Sequence, residues 1–497
     1  MPSDTTEQES AAAAGLRLLR DDRWLVLSWS VLASVPCLWH RRIEAGDLGS
    51  HVYNAWLGQL IAHGQAPGLY VARQWTNVLF DVWLLRVAEV VGFAAAEKIV
   101  VCGCVLIFFW GVFALVSAVT GRAPWFLAPG IAMLAYGYSF NMGFMNYYLS
   151  IGLACFGLAL VWRGWAGNWL LALVAALLAL YAHPLGFAWF AGTIAYCAVQ
   201  RVVPRWWKLL LPLGAGCVFV AIRWYLHTRA GMGVDWGDIP FYLSNGADQL
   251  ALYGRRYVTL AGVAVVFGIA CFVAGLAQRK DGLSWKSLAL PGELYLITFC
   301  ATALLPENLR VSMYAAWIGL LVSRLTVISA ILGLCLLGCL KPRVWHFAGF
   351  AAVAVVFFSF LYQDTQKLNQ LESNAEAVVS TLPYGTRITP TIFADQDWRI
   401  EFIVHVADRA CIGRCFTYSN YEPSSGQFRV RVRKGSPIAT DASDDAEDMQ
   451  GGSYEIQESD PPLKQLYQCD RSDWTKLCLR DLREGDNTGQ VGFRPGR

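Results

Sequence analysis

Charged side chains are scarce in this chain of 497 residues, making up 15% of it where soluble proteins carry about a quarter. So dilute a polar surface excludes an ordinary cytosolic enzyme, and the 56% hydrophobic content excludes a disordered chain. The net charge is only +3 and no basic run is present, which excludes nucleic acid as a partner. C-x-x-C metal spacing is missing, as is the internal repeat that marks many transporters. Missing too is a small-residue exit site after the first apolar run, which extends from Trp24 to Trp39 and ends in Cys37-Leu38-Trp39-His40-Arg41-Arg42. With Arg17, Arg20 and Arg23 ahead of it, that run reads as an uncleaved signal anchor whose N-terminus is cytoplasmic.

The charge that is present is unevenly placed, with 37 of the 77 charged residues in the 134 residues from Asp364 onward. The chain therefore divides into a cytoplasmic tail (1–21), a multi-span membrane domain (22–362) and an extracytoplasmic C-terminal domain (363–497). Spanning about 30 Å of hydrocarbon takes roughly 20 apolar residues. Suitable segments occur near 22–40, 96–120, 124–141, 145–162, 168–183, 185–200, 208–227, 258–278, 288–305, 312–340 and 344–362. The expected fold is a polytopic α-helical membrane protein of about 11 transmembrane helices, with a small β-rich or mixed C-terminal domain outside. Arg122, Arg163, Arg201, Arg205, Lys208, Arg279, Lys280, Lys286, Lys341 and Arg343 fall in short loops and place those loops on the cytoplasmic side of the inner membrane. Arg324 falls inside an expected span; either 306–323 lies at the outer interface or Arg324 faces a polar cavity.

Of 14 cysteines, ten lie in or beside apolar runs and act as small hydrophobes. The four in the tail, Cys411, Cys415, Cys469 and Cys478, form two disulfides if the tail is extracytoplasmic, and the local pairings 411–415 and 469–478 are preferred among the three arrangements. Strands are expected at 387–393, 398–406 and 427–433, the last alternating strictly, with 440–452 as a mobile loop. Two outer loops are long, 41–95 and 228–257. In the first, 76–91 is amphipathic at helical period and is interrupted by Asp81, Arg86 and Glu89.

Ionisable groups concentrate just after the first span, in Glu44, Asp47, His51, Tyr53 and Asn54. If 47–60 is helical, Asp47 and His51 share a face. The carboxylate could take a proton from an incoming hydroxyl, the pair could hold a divalent ion such as Mg²⁺ or Mn²⁺, or Asp47 could cap the helix. Tyr138, Asn141, Asn146 and Tyr147 flank a turn between spans, and His183 stands beside a proline break, where an imidazole can face a cavity. Arg255, Arg256, Arg310 and Arg324 are the cations available to a phosphate. Glu307 is a candidate partner for Arg310.

The first span, the long loop with Glu44 and Asp47 early in it, Tyr53-Asn54-Ala55-Trp56, Gly64-Gln65-Ala66-Pro67-Gly68-Leu69-Tyr70 and the amphipathic stretch after Trp75 together resemble the GT-C superfamily of integral-membrane glycosyltransferases. The resemblance covers roughly 22–362 and leaves out the tail. It implies a polyprenyl-phosphate sugar as donor and Asp47 as the carboxylate that activates the acceptor, with Glu44 in reserve. The adjacent acidic pair of the protein mannosyltransferases is replaced by Glu44 and Asp47 three apart. Expected partners are a lipid-linked sugar donor, membrane lipids and an extracytoplasmic acceptor. Two other classes use the same features: a transporter or flippase of a lipid-linked or small polar substrate, and an envelope protein whose tail binds cell-wall material.

Overall fold

The computed structural model describes residues 20–162, 168–204, 206–208, 210–229, 233–237, 245–277, 285–310, 317–393, 398–400, 403–470 and 472–489. Arg17, Arg163, Arg205, Arg279 and Lys280 lie outside them. The protein is mostly helical, because an apolar run in hydrocarbon must satisfy its backbone internally. Among the described residues six helices are long and apolar enough to cross a membrane: Phe93–Thr120, Leu210–Thr228, Arg255–Ala277, Ser287–Leu304, Leu321–Gly338 and Val344–Val379. Arg23–Leu38, Met145–Val161 and Trp169–Ala182 are shorter apolar helices. Leu213, Val218, Val220 and Trp224 stand exposed on Leu210–Arg229, an apolar surface suited to lipid and not to water.

Two expected spans differ from the sequence pattern, and both differences shape the site. The 124–141 segment is broken into a 3₁₀ turn at Trp125–Leu127, a helix at Ala128–Ala135 and a short helix at Tyr138–Asn141. Asn141 stabilises the break, its Nδ2 donating to the Tyr136 and Gly137 carbonyls at 2.7 and 3.1 Å. In the described part of the 312–340 segment, from 317 onward, the helix starts at Leu321, so Arg324 stands in its first turn. Glu307 caps that helix: its Oε2 accepts from Val322 N at 3.1 Å and Ser323 N at 3.2 Å, so the acid turns to the helix end and not to Arg310.

Val344–Val379 has 36 residues and runs on past the apolar segment ending near 362, carrying Asp364, Asn369, Glu372 and Glu376 on its polar extension. The tail that follows holds a four-stranded sheet in the order β5-β4-β7-β8, formed by Cys415–Thr417, Thr386–Thr391, Leu463–Gln468 and Leu477–Leu482. β4 is parallel to β5 and β7, and β8 is antiparallel to β7. Disulfides join Cys411 to Cys415 and Cys469 to Cys478, at S–S distances of 2.11 and 2.03 Å.

The third expected tail strand leaves this sheet. β6 (Val430–Val432) pairs antiparallel with β1 (Leu69–Val71) of the first long loop, tying tail to membrane body. Among its described residues the 398–406 segment forms no strand. Trp398 makes one isolated bridge to Tyr253, and a 3₁₀ turn at Ile403–His405 leads into a helix at Val406–Cys411. A helix at Ser443–Gly451 takes the place of the expected loop. One hydrophobic core runs without a gap from Ala33 in the first helix to Leu477 in β8. The tail helix Val406–Cys411 packs on Leu48–Ala62, which brings tail and first loop to one place.

Candidate functional site

Asp47 precedes Leu48–Ala62 at the N-cap position, yet its backbone is α-helical (φ −69°, ψ −7°) and its carboxylate makes no capping hydrogen bond. Its backbone is pinned to the broken span instead, with Gly46 N donating to Asn141 O at 2.7 Å and Asp47 N to Met142 O at 3.0 Å. The two segments touch main chain to main chain. A Cβ on Gly143, where φ is +76°, would lie 2.4 Å from Asp47 N, and one on Gly46 would lie 2.5 Å from Met142 O. Glycine is needed at both positions for Asp47 to sit where it does.

Around Asp47 the groups are nearly all buried. His405 Nε2 lies 3.8 Å from Asp47 Oδ1, and the side chains are 1% and 21% exposed, so the acid opens to the surroundings and the imidazole does not. His405 Nδ1 is 2.7 Å from Asp408 Oδ2, which fixes the ring, while its buried Nε2 has no hydrogen-bond partner. On the other side His51 Nδ1 lies 2.6 Å from Asp81 Oδ1, and Asn146 Nδ2 donates to Asp81 Oδ2 at 2.7 Å. Both oxygens of Asp81 are thus engaged. Glu422 completes the ring of acids, held by Asn54 Nδ2 and by its own backbone N donating to Asn420 Oδ1 at 3.0 Å. Ser50 Oγ accepts from both Asn54 and Asn420, at 3.2 and 3.4 Å.

Electrostatics follow from this crowding. Burial draws both imidazoles toward neutrality, but Asp81 beside His51 and Asp408 beside His405, helped by Glu422 and Asp47, reverse that and push each up to about 9. Both are therefore cationic at neutral pH. Burial raises the Glu422 carboxyl to about 7, against the opposing pull of His405 and His51.

Arg324 approaches from the body. Its guanidinium lies 4.1 Å from the Phe144 ring centre, Nη1 donates to Gly319 O, and its buried Nε has no partner. Asp47 and Glu307 are carboxylates within electrostatic reach of it. Tyr147 donates to the Arg324 carbonyl at 2.6 Å, and its ring lies 5.3 Å from His183. His183 itself caps Pro184–Val202, its Nδ1 accepting from Leu185 N at 3.1 Å. Arg399, from the tail, lies 4.0 Å over Tyr138 and pairs with buried Asp248 at 3.1 Å.

The structure thus brings Asp47, His51, Asn54, His183 and Arg324 toward one place and leaves other expected site residues elsewhere. Glu44 is enclosed with Arg409, which meets Glu44, Glu97 and Glu372 at 3.3, 2.7 and 2.7 Å. Tyr53 is buried and its Oη accepts from Thr417 N at 3.0 Å, holding β5. Arg256 pairs with Asp364 at 2.6 Å, and Arg255 is exposed beside it. Arg310 is exposed, its backbone N donating to Gly233 O at 3.0 Å. As for the Asp47–His51 metal pair, His51 Nδ1 is committed to Asp81, and among the described residues no group of three or more His, Cys, Asp or Glu could hold a metal ion.

Asp81, Asp408, His405, Glu422 and Arg399 are site members that sequence reasoning missed. His405 and Asp408, three apart, were legible as one helical face, but reading 398–406 as a strand hides that spacing. Set against known protein families, characterised proteins and solved structures, the chain matches none of them.

Proposed function

We propose that the chain is a multi-pass glycosyltransferase of the inner membrane, with about eleven spans, a cytoplasmic N-terminus and an outward-facing tail, and that it moves a sugar from a polyprenyl-phosphate donor to an acceptor at the outer face. The observation that carries this reading is the Asp47 carboxylate. It sits at a helix start without capping it, is partly open among buried groups, and lies 3.8 Å from His405.

In the proposed reaction Asp47 accepts the proton of the acceptor hydroxyl as that oxygen attacks the anomeric carbon. The bond from the anomeric carbon to the phosphate oxygen breaks, and polyprenyl phosphate departs with the electron pair. A single displacement of this kind inverts the anomeric centre. Arg324, with its unpartnered Nε, is suited to the charge that builds on the leaving phosphate. His405, locked by Asp408, orients the Asp47 carboxylate by charge and leaves its lone pairs to the acceptor.

The test uses purified protein in liposomes with a panel of polyprenyl-phosphate sugars, with and without Mg²⁺ or Mn²⁺. Wild type should consume one donor, and Asp47→Asn should lower turnover by roughly 10²- to 10⁴-fold, the usual contribution of a general base. Equal turnover in both proteins would remove Asp47 from the chemistry. Passage of an intact donor across the bilayer in both, without cleavage, would replace this reading with a transporter.

A further inference from the structure

We propose that the Tyr70–Arg431 face of the β1–β6 ribbon binds an extended anionic glycan and that this glycan is the acceptor led to Asp47; the second half rests on the glycosyltransferase reading. Pairing sets Tyr70 opposite Arg431 on one face, while Val430 and Leu69 turn to the buried side. The ladder continues beyond the strand ends, with Ala72 N donating to Arg429 O and Arg433 N to Gly68 O, both at 2.7 Å. Arg429, Arg431 and Arg433 alternate with valines and so share a face, at intervals of about 7 Å.

Arg73 and Lys434, both exposed, lie just beyond the strand ends at the alternate positions. Among the described residues none of the five bases makes an ion pair. Arg431 Nε donates to Phe428 O, two residues before the strand, at 3.1 Å, and Arg433 lies 5.5 Å from the Tyr70 ring centre. Asp441, the acid closest in sequence after Lys434, accepts from Gly435 N at 2.8 Å. Blunting the edge of a short ribbon takes one or two charges, and here every position on that face of β6 is Arg.

A straight row of guanidinium forks fits carboxylates or phosphates repeated along an extended chain, and the Tyr ring offers a flat surface to a sugar. A lipid surface presents headgroups in a plane and not in a line. The ribbon also points the right way. Arg429 follows Glu422 by seven residues, through the turn capped by Gly426, so the Arg429 end is the one closer along the chain to the Asp47 site.

The test measures binding of the full chain in nanodiscs to an oligogalacturonate of about a dozen residues and to a neutral maltodextrin of equal length, without donor. Wild type and Asp47→Asn should bind the anionic oligomer alone, and less tightly as NaCl rises through the range where exposed charges are screened. The triple variant Arg429→Gln, Arg431→Gln, Arg433→Gln should bind roughly tenfold or more weakly. Its unfolding temperature, read on the same sample, should match wild type; if it does not, Arg431→Lys, which keeps the charge, should restore both. Equal affinity in wild type and triple variant, or no binding of the oligomer, overturns the proposal, as does binding confined to vesicles containing anionic phospholipid. Binding without transfer, in a protein that glycosylates some other acceptor, overturns the acceptor assignment. Binding in a protein that turns over no donor strikes the enzymatic reading instead and leaves the ribbon as a glycan site.

Discussion

Arg409 and His405 stand one helical turn apart on the same tail segment, yet they enter clusters of opposite character. Arg409 reaches Glu44, Glu97 and Glu372 and also donates to Ile43 O at 2.9 Å, while Arg42 faces Glu372 and Glu376. Burial and the neighbouring Glu372 hold the Glu44 carboxyl well above its usual range. His405 reaches an Asp47 carboxylate that is 21% exposed and has no hydrogen bond from any described side chain. One cluster closes on itself and joins tail to body. The other stays open on one side, and an open charged group that the fold does not use is free to act on a substrate.

The comparison is tested first by removing one charge from each cluster. Arg409→Met strips three buried carboxylates of their common partner, a loss of about 3–5 kcal/mol when a buried pair is broken from one side. That is a large part of a folded protein's typical margin of about 5–15 kcal/mol. The unfolding midpoint in detergent, followed by tryptophan fluorescence, should fall sharply. Asp47→Asn should lower that midpoint far less while cutting turnover roughly 10²- to 10⁴-fold. Equal midpoints for both variants would erase the distinction between a closing and an acting cluster.

A smaller effect is expected where the open cluster meets the broken span. Gly143→Ala puts a methyl group 2.4 Å from Asp47 N at a φ of +76°. Strain of this kind costs on the order of 1–3 kcal/mol. Because the strain falls on the backbone of Asp47, turnover should drop more than stability does, and donor binding at Arg324 should change little. A loss of stability with normal turnover in the surviving protein would show that the glycine contact does not place the carboxylate.

Much of the frame was legible and the site only in part, for physical reasons. Apolar length gave the helices, since hydrocarbon admits few alternatives, and alternation gave the β6 strand. The partner of β6 was not legible, because its pairing with Leu69–Val71 joins residues some 360 positions apart and leaves no local pattern. Arg324 could be singled out as a charge inside an apolar run, and Asp47 as one of the ionisable groups clustered after the first span, on the resemblance to the GT-C superfamily. Nothing near Asp47 in the sequence announces His405 or Glu422, which reach it through tertiary packing of the tail. Capping and catalysis share one sequence signature at a helix start, and the backbone angles of Asp47 speak against the capping one.

Proton uptake gives the finest test of the contrast. His51 and His405 are raised from 6.5 to about 9, so the folded state holds their protons more tightly than the unfolded chain does. The stability they contribute is fully present below pH 6.5 and is lost as pH rises through about 9. Glu422 is raised from 4.5 to about 7, so its contribution is present below pH 4.5 and is gone above about 7. Both trends have the same sign, and stability should decline in two steps as pH climbs from 4.5 to beyond 9. Glu422→Gln should remove the lower step and keep the upper one, because an amide retains the contact with Asn54 without titrating. Replacing Glu376 with Gln alters an acid for which the closed cluster supplies Arg41 and Arg42, and it should leave the lower step in place. An unfolding midpoint traced against pH for wild type and the two variants decides the matter: a lower step that survives Glu422→Gln would mean that the carboxyl titrating near 7 belongs to another group, and the open cluster would lose its one acid poised at neutral pH.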